Sequence, residues 1–221
     1  MDRALGSEII RAIAWDVDGT LVDSEPLHHR ALLHGSSAFG IDLSDLPDQA
    51  FRGVHMGEVW QILRPRLPDT LVEAEWLAAI NRHYVAHRHE LVAVPGAVET
   101  IRRFAAQGLP QVCVSNSARQ IVDANLDALG VADAMAFTIS LDDAVAGKPD
   151  PWPYAEACRR LGLAPASVLA VEDSHTGVAS AVAAGLSCAA LGLADGSGYR
   201  TIAGLGELLN LVMRDTAPPG R

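Results

Sequence analysis

Five short apolar runs, at residues 10–15, 111–114, 136–139, 168–171 and 188–191, recur along the 221-residue chain and constrain its fold more than any other feature. Each has the length of a β-strand, and most are bounded by Gly, Pro, Asp or Ser. Runs that are apolar throughout, rather than alternating, suit strands covered on both faces. Between them lie helical patterns at 95–108, 117–130, 150–162 and 174–185, with Ser or Asp near their starts and Gly at their ends. This βαβα order predicts an α/β fold built on a doubly wound parallel sheet. A chain of this length buries a sizeable core without disulfides. Cys113, Cys158 and Cys188 are odd in number and sit in apolar stretches, so they read as core residues of a reduced compartment, the cytosol by default.

One segment breaks the alternation. Residues 23–93 contain no convincing strand but three amphipathic helical patterns, at 26–39, 56–67 and 70–89. The expected organisation is a discontinuous α/β core, residues 1–22 and 94–221, with an all-helical cap of residues 23–93 inserted after the first strand. The cap holds seven of the eight histidines, which read as a solvated surface. His83 and His87 have metal-clasping spacing but no evident third ligand. Trp15 is expected beneath the first strand's end, and Trp60 and Trp76 in the cap's core. The tail, 216–221, reads as disordered.

In open α/β sheets the site lies beyond the carboxyl ends of the strands. The first strand is followed by Asp16, Asp18, Gly19 and Thr20, and the second by Ser115-Asn116-Ser117. The third is followed by Gly147-Lys148-Pro149-Asp150, and the fourth by Glu172-Asp173-Ser174. Four carboxylates, Asp16, Asp18, Glu172 and Asp173, are therefore expected to converge, and uncompensated they would be costly. A hard divalent cation relieves that cost, and donors that are all oxygen select Mg²⁺ over Zn²⁺. A carboxylate attacking a phosphate dianion meets a repulsion of about 2 kcal/mol at 4 Å even in water. A cation that cancels this would let Asp16 attack in line and form an aspartyl-phosphate. Asp18 is suited to give a proton to the leaving oxygen and take one from water. Lys148, the Ser115 hydroxyl and the amides opening the Ser117 helix are suited to hold the phosphoryl oxygens.

The same residues carry a family likeness. Asp16-Val17-Asp18-Gly19-Thr20-Leu21-Val22-Asp23-Ser24 resembles the first motif of the haloacid dehalogenase superfamily. Ser115-Asn116 resembles the second motif, Lys148 the third, and Glu172-Asp173-Ser174 with Gly177 the fourth. The insertion resembles that superfamily's C1 helical cap, in the branch of phosphoglycolate-phosphatase-like enzymes and β-phosphoglucomutase. The resemblance implies that Asp16 is nucleophile and metal ligand. It implies that Asp18 is the acid/base and binds metal through its backbone carbonyl, that Asp173 is a direct ligand, and that Glu172 assists. Ser115, Asn116, Lys148 and Thr20 fall on its phosphate-binding side. His28 sits where the mutase pattern has a hinge histidine that gates the acid/base.

Within that superfamily Asp18 argues against dehalogenases, and the absence of lysine from residues 23–93 argues against phosphonatases. The mutase's cap arginine falls on Met56, which favours hydrolysis, although Arg52, Arg64, Arg66 or Arg82 offers charge from other positions. The expected function is a Mg²⁺-dependent phosphatase acting on a small phosphorylated metabolite, a sugar phosphate or phosphorylated organic acid. The alternatives are a β-phosphoglucomutase-like mutase and, further off, a non-catalytic binding protein. A formal net charge of −10 argues against nucleic acid and anionic membrane as partners. A monomer or weak homodimer is expected.

Overall fold

In the computed structural model, which describes residues 9–48, 50–51 and 54–215, eight strands follow one another along the chain. They are β1 (Ala12–Trp15), β2 (Val22–Asp23), β3 (Val92–Ala93), β4 (Gln111–Val114), β5 (Phe137–Ile139), β6 (Val168–Glu172), β7 (Ser187–Leu191) and β8 (Arg200–Ile202). Six form one sheet in the order β5-β4-β1-β6-β7-β8, every pair parallel. The chain fills the β4 side of β1 first and then crosses to β6, so the order reverses around β1. That reversal opens a crevice at the carboxyl ends of the central strands.

Both faces of the sheet are covered, as the unbroken apolar runs require. Ile13 and Trp15 of β1 enter one cluster with Phe104, Leu169 and Leu205. Ala12 and Ala14 enter the opposite cluster with Val112, Val114, Tyr154 and Ala170. Strand alternation thus survives in the packing even where it is invisible in the polarity pattern. Trp15 is fully buried, its indole N–H donating to Gln111 Oε1 at 3.0 Å, and all three cysteines are buried and unpaired.

The helices are α1 (Glu25–Ser37), α2 (Met56–Leu63), α3 (Glu73–Ala86), α4 (Ala97–Ala106), α5 (Arg119–Leu129), α6 (Trp152–Leu161), α7 (His175–Ala183) and α8 (Glu207–Asp215). The first three make the cap. Helix α2 ends four residues earlier than its pattern predicts, because Pro65 lacks an N–H and the chain tightens into a 3₁₀ turn over Arg64–Arg66. Helix α3 starts at Glu73 rather than residue 70, after a turn that follows Pro68. Trp60 and Trp76 are buried together in the cap, ring centroids 5.3 Å apart. Their cluster also takes in Ile121 of α5, so the cap's apolar core continues onto the α/β domain.

The two chain crossings between cap and core pair as an antiparallel ribbon, Val22 with Ala93 and Asp23 with Val92. Strand β8 and helix α8 escape the sequence pattern: β8 is an edge strand of three residues with a single buried apolar side chain, Ile202. The tail at 216–221 and Arg52 lie outside the described residues. No described helix is long and apolar enough to cross a membrane.

Candidate active site

Strand β1 delivers Asp16. Its N–H continues the ladder to Val171 O at 2.9 Å, so the Asp16 carboxyl stands where the sheet ends, beside the end of β6. Glu172 is the last residue of β6 and Asp173 the next, and carboxylate oxygens of Asp16, Glu172 and Asp173 all lie within 4.8 Å of one another. Lys148, almost completely buried, donates to Asp16 Oδ1 at 2.7 Å and to Glu172 Oε1 at 2.6 Å. Two glycines make room for this packing. A Cβ on Gly177 would fall 1.9 Å from Glu172 Oε2. One on Gly19 would fall 2.1 Å from Asp173 Oδ2, and Gly19 turns at φ +82 besides.

Three carboxylates meet, not the four expected. The Asp18 side chain leaves the group and takes a full set of donors on its other side. Ser117 Oγ donates to its Oδ2 at 2.7 Å and Ser115 Oγ lies at 3.4 Å; Asn125 Nδ2 donates to its Oδ1 at 3.0 Å, and His28 Nε2 lies 3.3 Å from the same oxygen. His28 reaches it because it occupies the first turn of α1, which starts directly after the ribbon.

Other expected residues act at one remove. The Thr20 hydroxyl is buried and donates to Asp173 Oδ1 at 3.3 Å. The Asn116 amide grips the Lys148 backbone at both ends, its Nδ2 donating to Lys148 O at 2.9 Å and its Oδ1 accepting from Lys148 N at 2.8 Å. Asn116 therefore positions Lys148, and the hydroxyl of Ser115 accepts from Ser117 N at 3.0 Å. In the sequence Ser117 stands out only as a helix start, and Asn125, Tyr84 and Tyr154 carry no signal of a functional role. Tyr154 O–H donates to Glu172 Oε1 at 2.5 Å from within the sheet's core. Tyrosine on a buried helix face reads as packing, and nothing in its spacing reveals a carboxylate opposite. On the cap His83 stacks on His87, centroids 4.0 Å apart, and meets His34 in a tilted contact at 4.2 Å; His34 and His83 line a cavity of about 580 Å³ that shares no residue with this site.

The charges do not balance. Burial and the neighbouring Asp16 push Glu172 up to about 7 despite Lys148 and the Tyr154 hydroxyl, and burial and Asp16 push Asp173 up to about 7 as well. Burial also raises Asp16, with Lys148 pulling it back. Burial would lower Lys148, but the charges of Asp16 and Glu172 overcome this and hold it above its ordinary value. Burial would raise Asp18, yet His28 and Ser117 together hold it well below the usual carboxylate range. One ammonium among three ionised carboxylates leaves two negative charges uncompensated, a deficit that a divalent cation matches. The donors are all oxygen and hard, which fits Mg²⁺.

Comparison with known proteins decides the family: residues 10–185 match the profile of the haloacid dehalogenase-like hydrolases. The chain belongs to that family. A phosphoglycolate phosphatase from Thiobacillus denitrificans is 31% identical over 187 residues, 80% of each chain. The crystal structure of CbbY from Rhodobacter sphaeroides in complex with phosphate superposes with a TM-score of 0.82 at 27% identity, covering 90% of this chain and 96% of that one. A second structure of that CbbY, a mutant, holds xylulose-(1,5)bisphosphate. As a haloacid dehalogenase-like hydrolase with phosphatase relatives, the protein is a phosphoric monoester hydrolase.

Proposed function

We propose that this haloacid dehalogenase-like hydrolase is a Mg²⁺-dependent phosphatase that hydrolyses a small phosphorylated metabolite through an aspartyl-phosphate on Asp16. The observation that carries this reading is the Lys148 ammonium held between Asp16 and Glu172, with Asp173 completing a group of three carboxylates. Asp16, Glu172, Asp173 and the backbone carbonyl of Asp18 would hold the ion, which supplies the positive charge that lets a carboxylate approach a phosphate dianion.

The chain's own residues do the rest. Asp16 is buried at the sheet's end and attacks phosphorus, forming the Asp16–phosphorus bond as the ester bond breaks. Lys148 and the Ser115 hydroxyl bear on the phosphoryl oxygens, and Asn116 and Thr20 hold Lys148 and Asp173 in position for this. Asp18, ionised in the substrate-free protein, takes up a proton from solvent as the phosphoryl dianion binds beside it and gives that proton to the departing alkoxide. It then takes one from the water that attacks the phosphoenzyme, which frees phosphate and restores Asp16. The cap bounds the cleft and keeps bulk water from the phosphoenzyme until Asp18 directs one molecule to it.

The relatives support a substrate of modest size: one is named for phosphoglycolate, a phosphorylated organic acid, and another holds a sugar bisphosphate. The test is phosphate release from a panel containing 2-phosphoglycolate, xylulose 1,5-bisphosphate and hexose phosphates, with Mg²⁺ or with EDTA. Release from at least one member that depends on Mg²⁺ is expected. Conversion of β-glucose 1-phosphate to glucose 6-phosphate in the presence of a trace of bisphosphate, without free phosphate, would make the protein a mutase. Inactivity across the panel with Mg²⁺ would leave a binding protein.

A further inference from the structure

Asn125 of α5 belongs to none of the motifs, yet its fully buried side chain joins the cap to Asp18. Its Nδ2 donates to Asp18 Oδ1 at 3.0 Å, and its Oδ1 accepts from the Tyr84 hydroxyl at 2.7 Å. Tyr84 comes from cap helix α3 and is itself fully buried, its ring 4.5 Å from that of His28, which lies against the same Asp18 oxygen. A side-chain amide has one end that only accepts and one that only donates, and the two are close in shape. An ionised carboxylate only accepts, so Asp18 draws the Nδ2 end of the amide, and the Tyr84 hydroxyl donates to the Oδ1 end that this leaves facing the cap. Turned over, the amide would set its oxygen against Asp18 Oδ1, acceptor against acceptor.

Resting on the reading of Asp18 as the acid/base, we propose that Asn125 and Tyr84 are its positioning residues. Tyr84 satisfies the buried Oδ1 of Asn125 and so anchors the amide, and the amide holds Asp18 Oδ1 as an acceptor. Oδ2 is left facing Ser115 and Ser117, as the oxygen that exchanges a proton with leaving group and water. The two serine hydroxyls donate or accept as required, whereas Asn125 Nδ2 only donates. The Tyr84–Asn125 bond has one partner in the cap and the other in the core. It therefore exists only with the cap seated on α5, where Ile121 enters the cap's apolar cluster.

The experiment compares kcat/KM for p-nitrophenyl phosphate, whose leaving group departs readily as an anion, with that for the alkyl phosphate turned over fastest in the panel above. Tyr84→Phe keeps the ring against His28 and removes only the hydroxyl; Asn125→Ala removes the amide. Both variants are expected to lose about tenfold more kcat/KM toward the alkyl ester than toward the aryl ester, and Asp18→Asn to show a larger selective loss. Circular dichroism and thermal melting check the fold of each, and Tyr84→Phe carries the test where Asn125→Ala does not fold. Selectivity in Asp18→Asn with equal losses, or none, in both other variants overturns the positioning role alone. Absence of selectivity in Asp18→Asn overturns the acid/base reading beneath it.

Discussion

Lys148 and Asp16 stand 132 residues apart in the chain and 2.7 Å apart in the fold. The same ammonium reaches Glu172 at 2.6 Å, so one cation holds together the two buried members of the site's three carboxylates. Removing it by Lys148→Met should abolish turnover and leave the carboxylates facing one another. Loss of one partner from a buried ionic group costs about 3–5 kcal/mol. Urea melts of the metal-free variant should show a larger loss at pH 8, where the acids are ionised, than at pH 6. An equal loss at both pH values would mean that Lys148 stabilises by packing alone.

Asp16→Asn should reduce p-nitrophenyl phosphate turnover to background with the fold preserved by circular dichroism, since an amide neither attacks nor carries phosphate. Asp18→Asn should differ in kind: it keeps the nucleophile but loses the group that activates water. Intact-mass spectrometry of Asp18→Asn after exposure to p-nitrophenyl phosphate should find protein heavier by one phosphoryl group. Normal turnover in Asp16→Asn would refute the nucleophile assignment.

Glu172 and Asp173 are both pushed up to about 7 in the metal-free protein, far above their unfolded values. A carboxyl whose folded pKa is raised contributes stability that is full below its unfolded pKa and is lost as pH climbs through the folded value. The metal-free protein should therefore lose stability between about pH 4 and 7 on account of these two groups. A divalent ion needs them ionised, so the stabilisation by Mg²⁺ should grow over the same rise in pH. Differential scanning calorimetry at pH 5.5 and 8, with EDTA or with Mg²⁺, measures both slopes, and a pH-independent Mg²⁺ effect would contradict them.

Gly177 has no room for a side chain, because a Cβ there would meet Glu172 at 1.9 Å. Gly177→Ala improves helix propensity within α7 by roughly 1 kcal/mol, and on propensity alone it should stabilise. Overpacking costs about 1–3 kcal/mol and acts here on a buried carboxylate, so the expected sum is a less stable protein with weaker Mg²⁺ affinity by isothermal titration calorimetry. Unchanged affinity would show that Glu172 is free to move without consequence for the ion.

The sheet was legible because strands covered on both faces must be apolar at every position, a signal that survives without any partner in view. Strand β8 gave no such signal, because at the sheet's edge a single buried residue, Ile202, suffices. The motif residues were legible for a related reason: chemistry that needs a carboxylate directly after a strand fixes a residue type at a countable position. Tyr154 and Asn125 were illegible, because on a helix they satisfy the same pattern as packing residues until the opposite wall is known.

By itself, then, the amino-acid order determined a parallel α/β core with a helical insert, and an Asp, Ser, Lys and Glu-Asp at successive strand ends. The tertiary structure alone decided how those groups divide. Asp16, Glu172 and Asp173 gather on Lys148, while Asp18 turns aside toward Ser117, Asn125 and His28. The reason is directional: residues two apart past the end of a strand follow the turn rather than the pleat, and the hydrogen-bond donors that claim each carboxylate arrive from other segments. Their convergence depends on the reversal of strand order around β1 and on the seating of the cap against α5.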